Sequence, residues 1–168
     1  MSQNIKHIIE THKDKIFRTC LGFTGNSEEA KDLVQEVCIH LWQGLEKFRK
    51  ESTISTWIYR VTVNTCLMYK RKKKVPMVAL SSIQEPKAGV ESATDKSAEE
   101  VKLLQQLIAE LPEKERIIII LYLENLSYEE IAEVTGISTN YIGVKINRIK
   151  KLLTKKMKLH GKVRNDMA

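Results

Sequence analysis

The stretch LSYEEIAEVTGISTNYIGVKINRIKKLL, residues 126–153, constrains this chain of 168 residues more than any other part of it. Ser127 is a good helix-capping residue, and Glu130 stands three positions on, the spacing of a reciprocal cap. Ile131, Ala132 and Val134 then line one helical face. Ala132 is small enough for a second helix to cross closely. Gly136 permits the left-handed residue of a sharp turn, Ile137 plugs the core, and Ser138 caps the next helix. In that helix Ile142, Ile146, Ile149, Leu152 and Leu153 face inward. A helix, a glycine turn and a second helix in this register make a helix-turn-helix, which lays its second helix in the major groove of duplex DNA.

The charge agrees. Lys and Arg number 28 against 21 Asp and Glu, a surplus of +7 that favours a polyanionic partner. With seven Gly and three Pro, and with helix formers dominant, the chain is expected to be all-α. Apolar residues recur at three- and four-residue steps over residues 5–21, where Gly22 and Gly25 end the pattern. They recur again over 27–45 behind a Ser27 cap, with Ala30, Leu33, Val34, Val37, Cys38, Leu41, Trp42 and Leu45 as the buried stripe. After a charged loop at 46–53, Thr53 or Ser55 caps a helix that reaches the run Lys70-Arg71-Lys72-Lys73-Lys74. Residues 75–97 hold two of the prolines, lack helical periodicity and are too long for a compact connection, so they read as a flexible linker. Beyond it, residues 98–110 form a helix that Leu111-Pro112 stops, and the IIIILYL helix after that is apolar all round, the mark of a buried centre. The expected organisation is two small helical bundles: 1–74, and 98–160 with the helix-turn-helix at about 127–153. A basic tail covers 161–168.

Other chemistry finds little purchase. The three cysteines, Cys20, Cys38 and Cys66, are far apart and fall on apolar helix faces, so they read as reduced core thiols. The four histidines lack ligand spacing, and neither a metal nor another cofactor is implied. The carboxylates are scattered and no serine sits beside a base, so neither an enzyme nor a small-molecule substrate is expected. No apolar run approaches the roughly 20 residues of a membrane span, and the first residues carry no secretory pattern, which predicts a cytoplasmic protein without membrane insertion.

Two further runs decide between a simple DNA-binding regulator and something larger. NSEEAKDLVQEV, STWIYRVTVN and the basic cluster resemble region 2 of the sigma-70 family, in its small extracytoplasmic-function group. LPEKERIIIILYLENLSYEEIAEVTGIS resembles its region 4, so the likeness covers roughly residues 8–158. A plain regulator has no use for the first half. The resemblance implies a sigma factor that binds core RNA polymerase, directs it to −35 and −10 promoter elements and assists melting.

The same resemblance implies roles for single residues. Asp32, Gln35 and Glu36, with His40 and Trp42, would dock on the coiled coil of the polymerase β′ subunit. Phe48, Trp57, Tyr59, Arg60, Asn64, Lys70 and Arg71 would hold the melted −10 strand, with Phe48 and the loop Arg49–Ser52 receiving a flipped base. Ser138, Thr139, Asn140, Tyr141, Lys145, Asn147, Arg148 and Lys151 would meet the −35 duplex, while Leu111–Leu126 would dock on the β flap. The family's recognition helix often reads G-T-V-K-S-R. Here the usual Lys and Ser are Gly143 and Val144. An anti-sigma partner is a family expectation.

Overall fold

The structure, a computed structural model, describes residues 2–74 and 96–166. Among these residues it contains α-helices and one short 3-10 turn, and no strand. The first half comprises α1 (Ser2–Thr24), α2 (Ser27–Gly44), the 3-10 turn Leu45–Lys47, and α3 (Ile54–Lys74). The second comprises α4 (Lys96–Ala109), α5 (Glu113–Leu123), α6 (Tyr128–Thr135) and α7 (Thr139–Asp166). Most of the stretch read as a linker, residues 75–95, lies outside the described residues, and Lys96 and Ser97 already belong to α4.

Local chemistry sets most of the boundaries. Ser127 Oγ accepts the Glu130 N–H at 3.1 Å, while the Glu130 carboxylate accepts the Ser127 N–H at 2.8 Å. That reciprocal cap starts α6, and Gly136, at φ 74°, ends it in the left-handed conformation. Thr53 Oγ1 accepts the Thr56 N–H at 3.1 Å and begins α3.

Three further boundaries differ from expectation. The cap of α2 is Asn26 and not Ser27: Asn26 is extended, and its side chain accepts the N–H groups of Glu28 and Glu29. α1 does not break at Gly22 but runs to Thr24, and Gly25, at φ 68°, turns the chain. Finally, α7 continues to Asp166, so the segment read as a basic tail is helical through that residue. The helix passes through Gly161 because a single glycine costs only about 1 kcal/mol against alanine.

In the first half α1, α2 and α3 pack together around Ile16, Cys20, Leu33, Val37, Leu41 and Ile58. In the second, α5 buries Ile117 to Leu121 among Leu107, Ile131, Ile142, Ile146 and Ile149. The two halves are not separate bodies. α1 packs on α4 and α5, α3 packs on α6, and one hydrophobic core runs through both. This explains why α5 is apolar on every side: it is buried by its own half and by α1. Gly22 makes that approach possible, because a Cβ there would lie 3.0 Å from Ile120 Cγ1. Trp42, expected in the buried stripe of α2, instead stands 54% exposed.

Candidate nucleic-acid interface

The three groups of candidate residues occupy different surfaces. On α2, Asp32 and Gln35 are exposed and Glu36 is half-buried; with Ile39 (55% exposed) and Trp42 they give α2 a mixed acidic and apolar outer face. Exposed aliphatic and indole groups beside carboxylates are poor ligands for DNA and good ones for protein. His40 faces partly inward. Its Nδ1 lies 2.8 Å from Thr65 Oγ1 of α3, so it ties two helices together.

Beside Trp42 a cavity of about 910 Å³ opens between the start of α1 and the loop before α3. Ile5, Ile8, Leu45, Phe48 and Ile54 supply apolar walls, while Asn4, Glu46, Lys50 and Ser52 bring polar groups to it. Phe48 and Trp57 stack at 5.1 Å with their planes tilted by 37°. Trp57 is half-buried, and Gly44 leaves it room: a Cβ there would meet the indole at 3.1 Å. The loop holds Lys50 at φ 56°, a left-handed residue without glycine. The cavity thus has Trp42 and Phe48 on its wall and both Lys50 and Glu46 among its polar groups.

Further along α3 the candidates are mostly engaged. Tyr59 is buried, and its hydroxyl donates to Glu124 Oε2 at 3.2 Å. Glu124 also accepts two hydrogen bonds from Arg18, Nε to Oε1 at 2.8 Å and Nη2 to Oε2 at 3.0 Å. Burial first, and then the Glu124 carboxylate, push the Tyr59 phenol above its ordinary range. Arg60 donates to the Glu133 carbonyl of α6 at 3.0 Å. Lys70 pairs with Glu113 at 3.5 Å and covers the Phe23 ring. Asn64 and Arg71 are exposed. Three of the seven residues read as −10 contacts therefore face the second half in this arrangement.

Ser138, just before α7, and Thr139, Asn140, Asn147, Arg148 and Lys151 on it are exposed, and Tyr141 is 44% exposed. They lie together along one side of the helix from its N-terminus. Lys145 differs. It bonds Glu115 of α5 at 3.0 Å and sits over the Tyr141 ring, and Glu115 raises its pKa.

Several contributors carry no signal in the sequence. Glu124 meets Arg18 of α1 and Tyr59 of α3, and Glu133 meets Arg60 of α3, across 65 or more residues of chain, a separation with no local signature. Arg116 spans the same junction, donating to the carbonyls of Phe23 and Leu111 at 3.2 and 3.0 Å. Its place as the one arginine beside an isoleucine run is visible in the sequence; its partners are not. Among the described residues no His, Cys, Asp and Glu cluster could hold a metal, and no helix is long and apolar enough to cross a membrane. The three thiols are free. Cys20 and Cys66 are buried, and a hydrogen bond between them followed by burial pushes the Cys66 thiol well up.

Comparison with known proteins identifies the family. The family Sigma-70 region 2 matches residues 8–75, and the family Sigma-70, region 4 matches residues 102–153. The chain is 30% identical over 167 residues to the ECF RNA polymerase sigma factor SigW of Bacillus subtilis (strain 168), covering 90% of this chain and 87% of that one. It is 32% identical over 147 residues to the RNA polymerase sigma factor SigV of the same organism, with 86% of each chain covered. The fold is shared with the sigma factor RpoE of Bartonella quintana, solved with the anti-sigma factor NepR: TM-score 0.72 at 19% identity, over 93% of this chain and 98% of that one. It is shared also with CnrH in complex with the cytosolic domain of CnrY, at TM-score 0.71 and 16% identity, over 95% and 90% of the two chains. With regions 2 and 4 both present in order, and relatives that match along most of their length, the chain belongs to the sigma-70 family, among its ECF RNA polymerase sigma factors.

Proposed function

We propose that this chain binds core RNA polymerase in the cytoplasm, brings it to promoters by their −35 and −10 elements and helps melt the DNA, performing no chemistry itself. The observation that carries the reading is the presence of both matched regions in one chain, in family order, each with an exposed surface suited to a different partner. The acidic and apolar face of α2, with Asp32, Gln35, Glu36 and Trp42, suits the β′ coiled coil; His40 supports it from beneath. The Leu111–Leu126 segment is assigned to the β flap. An anti-sigma partner is supported by the two solved relatives, each captured in complex with a second protein, one of them named an anti-sigma factor.

Melted −10 DNA offers unstacked bases and bare phosphates. The cavity lined by Trp42 and Phe48 has the size and the aromatic wall to take a base, while Lys50, Asn64 and Arg71 are exposed for the backbone. Tyr59, Arg60 and Lys70 join them only when α3 is freed from α5 and α6, which requires the halves to part. On this reading the polymerase both spaces the two DNA-binding halves and uncovers one of them. The −35 duplex is assigned to the start of α7, with Arg148 and Lys151 on phosphates.

Run-off transcription with purified core polymerase tests the reading. Promoter-dependent transcript should form only when this chain is added, and the free chain should bind the same duplex poorly. Specific, tight duplex binding by the chain alone, with no gain in transcript, would reassign it to a regulator outside the polymerase.

A further inference from the structure

The first two turns of α7 carry an unusual set of groups for a helix that reads bases. Guanine is ordinarily read by a bidentate Arg or Lys, adenine by Asn or Gln, and thymine by apolar contact with its methyl group. No unengaged cation is available in these two turns. Gly143 has no side chain, and the Tyr128 ring of α6 fills the space beside it: a Cβ at 143 would lie 3.3 Å from Tyr128 Cε2. Lys145 is turned to the Glu115 carboxylate at 3.0 Å, with its side chain 21% exposed. What remains open is Thr139, Asn140, Tyr141 and Val144, the last 50% exposed. Asn140 and Val144 stand four residues apart and so share one face. Arg148 comes a further turn along, where contacts pass to the backbone.

We infer that Asn140 and Val144 make this helix selective for A·T pairs, with the Val144 methyl groups packed on a thymine methyl, in place of the guanine that a cation would read there. The inference rests on the reading of α7 as the −35 helix and names what that helix selects. An aliphatic side chain half exposed on a surface otherwise lined by Thr, Asn and Tyr is explained by it. The engagement of Lys145 is explained as well, since Glu115 draws away the one cation that would favour guanine at this depth.

The test uses the holoenzyme formed from core polymerase and this chain, with duplexes randomised across the −35 element. The retained sequences should be A·T at the positions facing the start of α7. Asn140→Ala and Val144→Ala should each relax one of them. The preferred duplex is then made with uracil replacing thymine at the position that Val144→Ala relaxes. The unmodified chain should lose about fourfold in affinity, the worth of one buried methyl group, and Val144→Ala should lose nothing further. Val144 is exposed, so its truncation leaves the fold intact. Selection of G·C at these positions, or equal uracil sensitivity in both proteins, overturns the inference and leaves the −35 assignment standing. Retention of every −35 sequence alike overturns both.

Discussion

Glu124 sits where a helix disfavours it. It caps the C-terminus of α5, at the end whose free carbonyls repel a carboxylate. Arg18 and the Tyr59 hydroxyl offset that cost, and the Glu124 side chain is only 10% exposed. Replacing it by Gln keeps the shape and an acceptor for Tyr59 but removes the charge that pairs with Arg18. Because Arg18 is half in solvent, the expected loss is modest, about 1 kcal/mol in urea unfolding. The larger effect should be a longer mean distance between fluorophores placed on α2 and α7, read by energy transfer. Tyr59 adds a pH signature. Its phenol is pushed above the ordinary value of 10.0, so the folded chain keeps a proton that the unfolded chain releases. That stabilisation is whole below pH 10 and is lost as pH rises through the folded value. Comparing urea midpoints of the natural chain and Tyr59→Phe should give a constant difference up to about pH 10 and a shrinking one above it. None of this is legible in the sequence. Tyr59 stands in a motif whose family resemblance implies a DNA contact, and nothing near it in the chain points to a carboxylate 65 residues away.

At the scale of elements the sequence is far more informative, because caps and turns are decided by neighbours. Ser127, Glu130 and Gly136 each act as their residue types dictate, and so the helix-turn-helix can be drawn from them to within a residue. The misplacements are of two kinds. Ser27 loses the cap to Asn26 because both are good capping residues and the left-handed turn at Gly25 decides which one is extended. Gly22 reads as a break because its reason for being glycine lies in another helix. Gly136 provides a clean test. A Cβ there would meet nothing within 4 Å, so Gly136→Ala is penalised through φ alone. The expected cost is about 1 kcal/mol in thermal unfolding, with Gly136→Asn costing less. A larger loss would mean that the turn packs more tightly than its open surroundings allow.

For the whole molecule, the sequence foretells two helical halves and their order but not that they close on each other. The prolines and the length of residues 75–97 argue for independence, and the isoleucine run on α5 reads as the centre of its own bundle alone. The buried junction is set by shape: Gly22 on one side, Ile120 on the other. Gly22→Leu should act as a wedge. Leucine suits a helix interior better than glycine, so α1 itself should hold. The halves should part nonetheless, raising the radius of gyration measured by small-angle scattering. An unchanged radius would show that Ile120 can yield to the added side chain.

The closed junction has a bearing on where the free protein spends its time. A chain of net charge +7 adrift among chromosomal phosphates is drawn to any stretch of double helix, whatever its sequence. With Arg60 and Lys70 turned onto carbonyl and carboxylate groups of its own other half, part of that stickiness is quenched before polymerase is met. The shut form would then be held by bulk DNA less strongly than an open one.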